Sequence, residues 1–284
     1  MSLKTEQLVY KNFGTCLSVV NNGVKLMATL DFGPRIIYFG LEGEENLLLE
    51  DIDRNFFMDV DGYGRWYTYG GHRVWRSPEV SPETYVPDND PVEWSLEENV
   101  LSLSQKETPF GKQFSLICTF NDDGSVKVEN RIKNCSDKPQ KFAPWAITGL
   151  CQNGTEYIKL NTADTGFLAN RTMALWPYAD IKDVRFTLTN EEVILRQDPD
   201  IKKRFKAGFN ITSGEVKYVS GKQYFLKKFE NYNEDYNYPD FGCNFETYTN
   251  EHFIECELIG DEREYLPGET ATITELWFAG RTED

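Results

Sequence analysis

Residues that can carry out chemistry are concentrated in one short segment, Tyr67–Glu79 (YTYGGHRVWRSPE). It contains His72, one of only two histidines in the chain, directly after two glycines. Aromatic rings offer flat apolar faces, arginines offer several N–H donors, and glycines let a ligand approach the backbone. This mixture suits a sugar, which has a C–H face and a rim of hydroxyls. The alternative is a loop whose rings cap the end of a sheet. The candidate binding residues in this segment and just before it are Arg65, Arg73, Trp75, Arg76 and Glu79.

A second candidate is Glu246, in the stretch GCNFETYTN. Its local pattern is that of a strand surface, and what distinguishes it is the aromatic segment before it, Phe229–Gly242. Segments of this length without a strand pattern are often functional or mobile. Glu255 and Glu257 follow in a plainly alternating stretch and are predicted to lie on the solvent face of a strand. The aromatic segment adds Tyr232, Tyr236 and Tyr238 as candidate binding residues.

Composition excludes several classes of partner. The 284 residues carry a formal net charge of −16, which repels nucleic acid and anionic lipid, so neither is expected as a partner. A neutral sugar is unaffected by this charge. Aromatic residues make up 14% of the chain, a proportion high enough to suggest that some rings contact a ligand.

The six cysteines are dispersed singly and show no metal-binding spacing, so neither a metal nor another cofactor is predicted. The N-terminus has no apolar signal segment, and no apolar run is long enough to span a membrane. These features predict a cytoplasmic protein with free thiols. No oligomeric state is predicted.

The dominant hydrophobic period is two, as in Phe114–Phe120, which is typical of strands with one buried face. Turn signals separate such runs, including NNG at 21–23 and NDDG at 121–124. No linker divides the chain. The pattern predicts an all-β, mostly antiparallel sandwich forming a single domain over residues 1–284. Stretches 51–60 and 190–198 are compatible with short helices.

Several sequence blocks together resemble the galactose mutarotase-like (aldose 1-epimerase) superfamily, and in particular a bacterial branch of it. The matches run through most of the chain, and their order and spacing carry more weight than any one of them. They are DFGPRIIYFGLEGEENLL (31–48), GGHRVW (70–75), VENRIKNCSDKPQKFAPWAITGL (128–150), ALWPY (174–178), FGCNFETYTN (241–250) and YLPGETATITELWF (265–278).

The resemblance implies a β-supersandwich with a sugar site on a concave sheet face. It also implies mutarotation, in which a base takes the proton of the anomeric hydroxyl while an acid protonates the ring oxygen. In this sequence the family's catalytic glutamate corresponds to Glu246, and its first histidine to His72. From the order of these blocks and the aromatic segment before Glu246, we predict that His72, Arg73 and Glu246 share one pocket. Its edge is predicted to contain Trp145 and at least one of Tyr232, Tyr236 and Tyr238.

The sequence departs from the family at the second histidine. The corresponding stretch, FAPWAITGL, contains Trp145 and Thr148 but no histidine. Three interpretations stay open: His72 is the sole acid, an arginine and tyrosine pair reshapes the site, or the protein binds a sugar without epimerising it. A glycoside-cleaving enzyme that uses Glu79 and Glu246 is a further alternative, and it requires carboxyl groups about 5–10 Å apart.

Overall fold

The computed structural model describes residues 3–282. Its helical elements within that range are a 3₁₀ turn at Glu83–Tyr85 and one four-residue turn, α1, at Pro239–Gly242. The strands are β1 Lys4–Val9, β2 Thr15–Asn21, β3 Val24–Thr29, β4 Ile36–Leu41, β5 Phe57–Val60, β6 Gly64–Tyr67, β7 His72–Ser77, β8 Glu93–Glu97, β9 Val100–Ser104, β10 Lys112–Phe120, β11 Val126–Asn134, β12 Gln140–Leu150, β13 Thr155–Lys159, β14 Met173–Leu175, β15 Phe186–Leu188, β16 Glu192–Arg196, β17 Phe205–Phe209, β18 Glu215–Ser220, β19 Gln223–Phe229, β20 Phe245–Thr249, β21 Ile254–Ile259, β22 Arg263–Tyr265 and β23 Thr270–Arg281.

Two large antiparallel sheets contain nearly all of these strands. Sheet I has the order β1-β2-β3-β4-β7-β12-β21-β20-β17-β14, with β22 paired to β12. Sheet II has the order β15-β16-β13-β18-β19-β23-β11-β10-β9-β8, and β5 and β6 form a separate hairpin. The prediction of an all-β, antiparallel sandwich is confirmed.

Local sequence explains several of these connections. Asn22 and Gly23, both at positive φ, join β2 to β3, as a tight hairpin turn requires. A longer turn that contains 121–124 joins β10 to β11, with Gly124 at positive φ. The stretches 51–60 and 190–198 are not helical, because their apolar residues pair in β5 and β16 instead. Within residues 3–282 no helix is long and apolar enough to cross a membrane.

The main core lies between the two sheets and is built from the inward-facing residues of both. Phe39 of sheet I packs against Phe225 and Trp277 of sheet II, with ring centroids 5.1 Å apart in each case. Burial of such rings is the main stabilising contribution to the sandwich. A second, smaller cluster lies on the outer face of sheet I, the face turned away from sheet II: Ala143, Trp145, Ile147 and Ile259, with Trp75 packed against them.

Candidate functional site

Strand β7 presents its residues alternately to the two faces of sheet I. Arg73 and Trp75 lie on the outer face, whereas His72 and Val74 lie on the face toward sheet II. Adjacent residues of an extended strand cannot share a face, so His72 and Arg73 are separated by the sheet itself. The prediction that His72 lines one pocket together with Arg73 and Glu246 is therefore corrected.

His72 is part of a polar network in the interior. Its Nδ1 lies 2.7 Å from Thr148 Oγ1, and its Nε2 lies 2.7 Å from Asn130 Oδ1 of sheet II. Its ring packs edge-on against Trp277, and its side chain has no exposed surface. Burial and the nearby Lys227 ammonium hold the pKa of His72 well below its usual range. The neutral imidazole is hydrogen-bonded at both ring nitrogens and thereby connects the two sheets.

The outer face of sheet I carries the charged residues that the sequence leaves dispersed. Arg73 pairs in register with Ile147 of β12, Ile147 with Glu257 of β21, and Glu257 with Glu246 of β20. Antiparallel register partners lie side by side, which places these side chains in one row. We define the charged cluster as Arg73, Lys206, Glu246, Glu255 and Glu257.

Ion pairs connect the members of the charged cluster. Lys206 Nζ lies 2.7 Å from Glu246 Oε2 and 2.9 Å from Glu257 Oε2. Arg73 Nη2 lies 3.6 Å from Glu255 Oε1. The relative exposure of Glu246 and of Glu257 is only 1%. Three carboxyl groups thus face two cations in a place from which water is largely excluded.

This imbalance perturbs the protonation of the cluster. Burial raises the pKa of Glu246 to about 8, against the lowering effect of Lys206. Burial and the charge of Glu257 raise the pKa of Glu255 to about 7. Burial alone would lower the pKa of Lys206, but Glu257 and Glu246 together raise it above its usual range. Because an unpaired buried charge is costly, burial favours the neutral forms of the Glu246 and Glu255 carboxyl groups.

Aromatic rings enclose the charged cluster. The guanidinium of Arg73 lies 4.2 Å from the ring centroid of Trp75, and Lys206 Nζ lies 4.7 Å from that of Trp176 and 5.0 Å from that of Trp145. Trp145 Nε1 also donates a hydrogen bond of 2.9 Å to Glu257 Oε2. The face therefore combines apolar surfaces with convergent charges, the composition typical of small-molecule sites.

Several buried polar atoms of the charged cluster have no hydrogen-bond partner. They are Nε and Nη1 of Arg73 and the Oε1 atoms of Glu246 and Glu257. Buried polar groups in folded proteins are nearly always paired, so each exception calls for an explanation. The two nitrogen atoms are hydrogen-bond donors and the two oxygen atoms are acceptors. Together they match a ligand that both accepts and donates hydrogen bonds.

Other predicted binding residues lie away from the cluster. Arg65 of the β5–β6 hairpin is exposed and pairs with Asp59. Arg76 is held near Glu83 and donates to the carbonyls of Pro78 and Lys141. The carboxylate of Glu79 accepts a 2.6 Å hydrogen bond from the hydroxyl of Tyr85. The structure does not bring Glu79 into the charged cluster.

The three predicted tyrosines lie together in the segment before α1. Tyr232 stacks on Tyr238 with ring centroids 5.0 Å apart, and Tyr236 contacts Tyr238 as well. Tyr236 and Tyr238 line a cavity of about 220 Å³ together with Pro144, Ile259 and Arg263. This cavity does not include any member of the charged cluster.

Sequence analysis missed Lys206, Glu255 and Glu257. The two glutamates alternate in β21 as expected, but rings cover the outer face on which they lie, so Glu257 is buried and Glu255 is only partly exposed. One signal was present in the sequence, namely Trp176 in the ALWPY block, which covers Lys206. Within residues 3–282 no group of His, Cys, Asp and Glu residues is arranged to hold a metal ion.

Comparison with known proteins bears on the fold. No protein-family model and no curated protein matches this sequence. Among solved structures, a galactose mutarotase-like protein from Lactobacillus casei is similar over 93% of this chain and 100% of its own, with a TM-score of 0.58 and 10% identity. A galactose 1-epimerase from Lactobacillus acidophilus is similar over 99% and 100%, with a TM-score of 0.52 and 15% identity.

A TPR-domain containing protein from Parabacteroides distasonis is similar over 93% of this chain, with a TM-score of 0.64 and 14% identity. This chain spans 47% of that longer protein. At such identities the likeness concerns the fold. The chain has the galactose mutarotase-like sandwich fold, as its sequence blocks predicted.

Proposed function

We propose that this protein binds a monosaccharide or a derivative of one at the charged cluster and interconverts its anomers by acid–base catalysis. The observation that carries this proposal is the set of unpartnered buried atoms on Arg73, Glu246 and Glu257. A sugar hydroxyl donates one hydrogen bond and accepts others, so neighbouring hydroxyls can satisfy both kinds of atom. Trp75 and Trp145 offer apolar surface for the C–H face of the ring.

The proposed reaction needs two proton carriers, and the cluster has two carboxyl groups side by side. Glu246, whose raised pKa of about 8 suits a base near neutral pH, takes the proton of the anomeric hydroxyl, while Glu257 gives a proton to the ring oxygen. The bond between C1 and the ring oxygen breaks and leaves an open-chain aldehyde, whose C1 group rotates. The new hydroxyl then returns its proton to Glu257 as its oxygen attacks the other face of C1, and Glu246 gives its proton to the carbonyl oxygen. The enzyme ends in its starting state.

The register of Glu246 and Glu257 as direct partners on β20 and β21 supports this assignment, because it holds the two carboxyl groups side by side. His72 is not needed as an acid, because its two ring nitrogens are bonded to Thr148 and Asn130. Glu246 remains the base, as the family resemblance suggests.

Ligand entry requires some rings to move, since the unpartnered atoms are enclosed. The segment Trp176–Tyr178 follows the end of β14 and lies outside the ladder of sheet I. Its backbone is held by a 3.4 Å bond from Trp176 N to Lys206 O and a 2.9 Å bond from Ala179 N to Trp176 O. Displacing this segment uncovers Lys206 with few lost contacts.

A non-catalytic sugar-binding protein is the second candidate. It is favoured by the enclosure of the cluster and by the lack of a histidine on the outer face. The two candidates share the binding site and differ only in turnover, so one experiment separates them.

The experiment measures anomer exchange by NMR across a panel of aldoses, with and without the protein. If the proposal holds, at least one aldose exchanges faster with the protein, and Glu246→Gln or Glu257→Gln slows exchange by about 100-fold or more. Glu97→Gln, an exposed carboxylate on β8, is the control and should behave as the parent. Binding without accelerated exchange establishes the second candidate, and absence of both overturns the assignment of this site.

A further inference from the structure

Lys206 occupies the centre of the charged cluster. Glu246 and Glu257 are direct register partners on neighbouring strands, and like charges placed opposite each other repel. The Lys206 ammonium reaches across from β17 and bonds the Oε2 atom of each. Both carboxylates therefore direct one oxygen toward the same cation and keep the other, Oε1, unpartnered.

The surroundings of Lys206 keep its ammonium in this bridging role. The rings of Trp145 and Trp176 cover its remaining sides, and its relative exposure is 8%. Its pKa lies above the usual range, so it stays charged and does not supply a proton near neutrality. An ammonium that is held between two carboxylates and stays charged acts on the reaction through its neighbours.

We propose that Lys206 is a positioning residue: its ammonium holds the Oε2 atoms of Glu246 and Glu257 side by side and leaves their Oε1 atoms to face the ligand. The identity of the ligand rests on the proposed function, whereas the coupling between Lys206, Glu246 and Glu257 does not. It predicts that removing the ammonium changes both the protonation and the geometry of the pair.

The expected change in protonation has a definite direction. Two buried carboxylates without a cation between them cannot both ionise easily, so they hold a shared proton more tightly. Lys206→Met should therefore move the loss of that proton to higher pH by about one unit or more. Other charged or titratable groups that face the cluster remain in place: Arg73, Asp240, Cys243 and Glu255, with Tyr178, Tyr248 and Arg204 at its rim; Glu156 lies on the interior face of the sheet.

The test combines a titration with kinetics. Carboxyl carbons of glutamate are labelled with ¹³C, and their shifts are followed from pH 5 to pH 10 in the parent, in Lys206→Met and in Lys202→Met. Lys202 is an exposed lysine four residues away, so its loss removes the same charge without the bridge. We expect an upward shift for Lys206→Met only. An unchanged titration, or an equal shift in both variants, overturns the inference.

Anomer exchange gives the second readout. In Lys206→Met the alkaline limb of the pH–rate profile should move upward together with the titration, and kcat should fall by about 10-fold or more with a smaller change in KM. Equal loss at every pH would indicate a merely structural role and would contradict positioning.

Lys206→Arg covers the case in which the methionine variant does not fold. It keeps the positive charge but presents a planar fork. The carboxyl titration should then stay near that of the parent while exchange slows. An upward displacement of about one unit or more, the shift expected without the cation, would overturn the inference. If the parent accelerates no exchange, the proposed function fails, while the titration still decides the role of Lys206.

Discussion

Alternation along single strands decides what each titratable side chain can do. His72 and Arg73 are neighbours in sequence, yet one connects the sheets and the other belongs to the charged cluster. Cys256 and Glu257 of β21 likewise lie on opposite faces of sheet I, Cys256 in the core and Glu257 in the charged cluster. The interior side has its own charges, among them the pair of Lys227 and Glu275 at 3.1 Å. Buried charge on both faces makes protonation a determinant of stability as well as of reactivity.

His72 should contribute to stability through its two hydrogen bonds. His72→Ala leaves Asn130 and Thr148 without their partner and opens a cavity against Trp277, which we expect to lower the free energy of unfolding by about 2–4 kcal/mol. Chemical denaturation measures this change. His252→Ala is the control, since that side chain is largely exposed and its loss should alter stability little. Equal effects of the two substitutions would show that the interior bonds contribute nothing.

Glu156 should make stability depend on pH. It is fully buried, neither carboxyl oxygen has a hydrogen-bond partner, and burial raises its pKa from an ordinary value of 4.5 to about 8. The folded state thus binds this proton more tightly than the unfolded state, so its contribution to stability is lost as the pH rises through about 8.

Glu156→Gln cannot ionise and should escape this loss. At pH 9 its melting temperature should exceed that of the parent by about 2 °C or more, whereas at pH 4 the two should agree. Thermal melts across this range measure the difference, with Glu97→Gln as the exposed control. A gap that is the same at both pH values would show that the ionisation of Glu156 is not the cause.

At the scale of elements, much of the sandwich could be predicted from sequence. Period-two runs and the Asn22-Gly23 turn report local geometry, which a short stretch encodes by itself. Which residues cover the outer face of sheet I could not be predicted. Strands β7, β12, β17 and the β20–β21 pair are not consecutive in sequence and become neighbours only in the folded sheet. Alternation identified the two faces of β21, but not that rings from other segments cover the one with Glu255 and Glu257.

Two glycines allow β7 to begin where it does. Gly70 and Gly71 both have positive φ, and a Cβ atom at Gly71 would overlap the carbonyl oxygen of Ile36. What approaches Gly71 closely is the neighbouring backbone of β4, whereas the sequence suggested that a ligand would do so. The start of β7 in turn sets which of its residues face the charged cluster.

Gly71→Ala should therefore destabilise the protein severely. Gly166 has the same φ of +67° but open space around it, so Gly166→Ala isolates the cost of the backbone conformation from that of the overlap. We expect Gly166→Ala to cost about 1 kcal/mol and Gly71→Ala at least about 3 kcal/mol. Denaturant unfolding of both variants gives the comparison, and equal losses would remove close approach as the reason for glycine at position 71.

At the scale of the whole molecule, charge restricts the class of ligand. The chain has a net charge of −16, and the two cations of the charged cluster already bind its three carboxyl groups. Arg204 lies near Tyr178 and Tyr248 at the rim of the charged cluster. It is exposed and hence strongly screened by salt.

A sugar phosphate or uronate would add negative charge to a cluster that already has one carboxyl in excess. We therefore expect a neutral aldose to bind at least about 10-fold more tightly than its 6-phosphate or uronate counterpart, a difference of about 1.4 kcal/mol. Calorimetric titration at low and high salt measures both affinities. Raising the salt should improve binding of the charged sugar and leave the neutral one nearly unchanged, because screening weakens the repulsion alone. Tighter binding of the phosphate that disappears in Arg204→Ala would contradict this expectation and identify the rim arginine, rather than the charged cluster, as what selects the ligand.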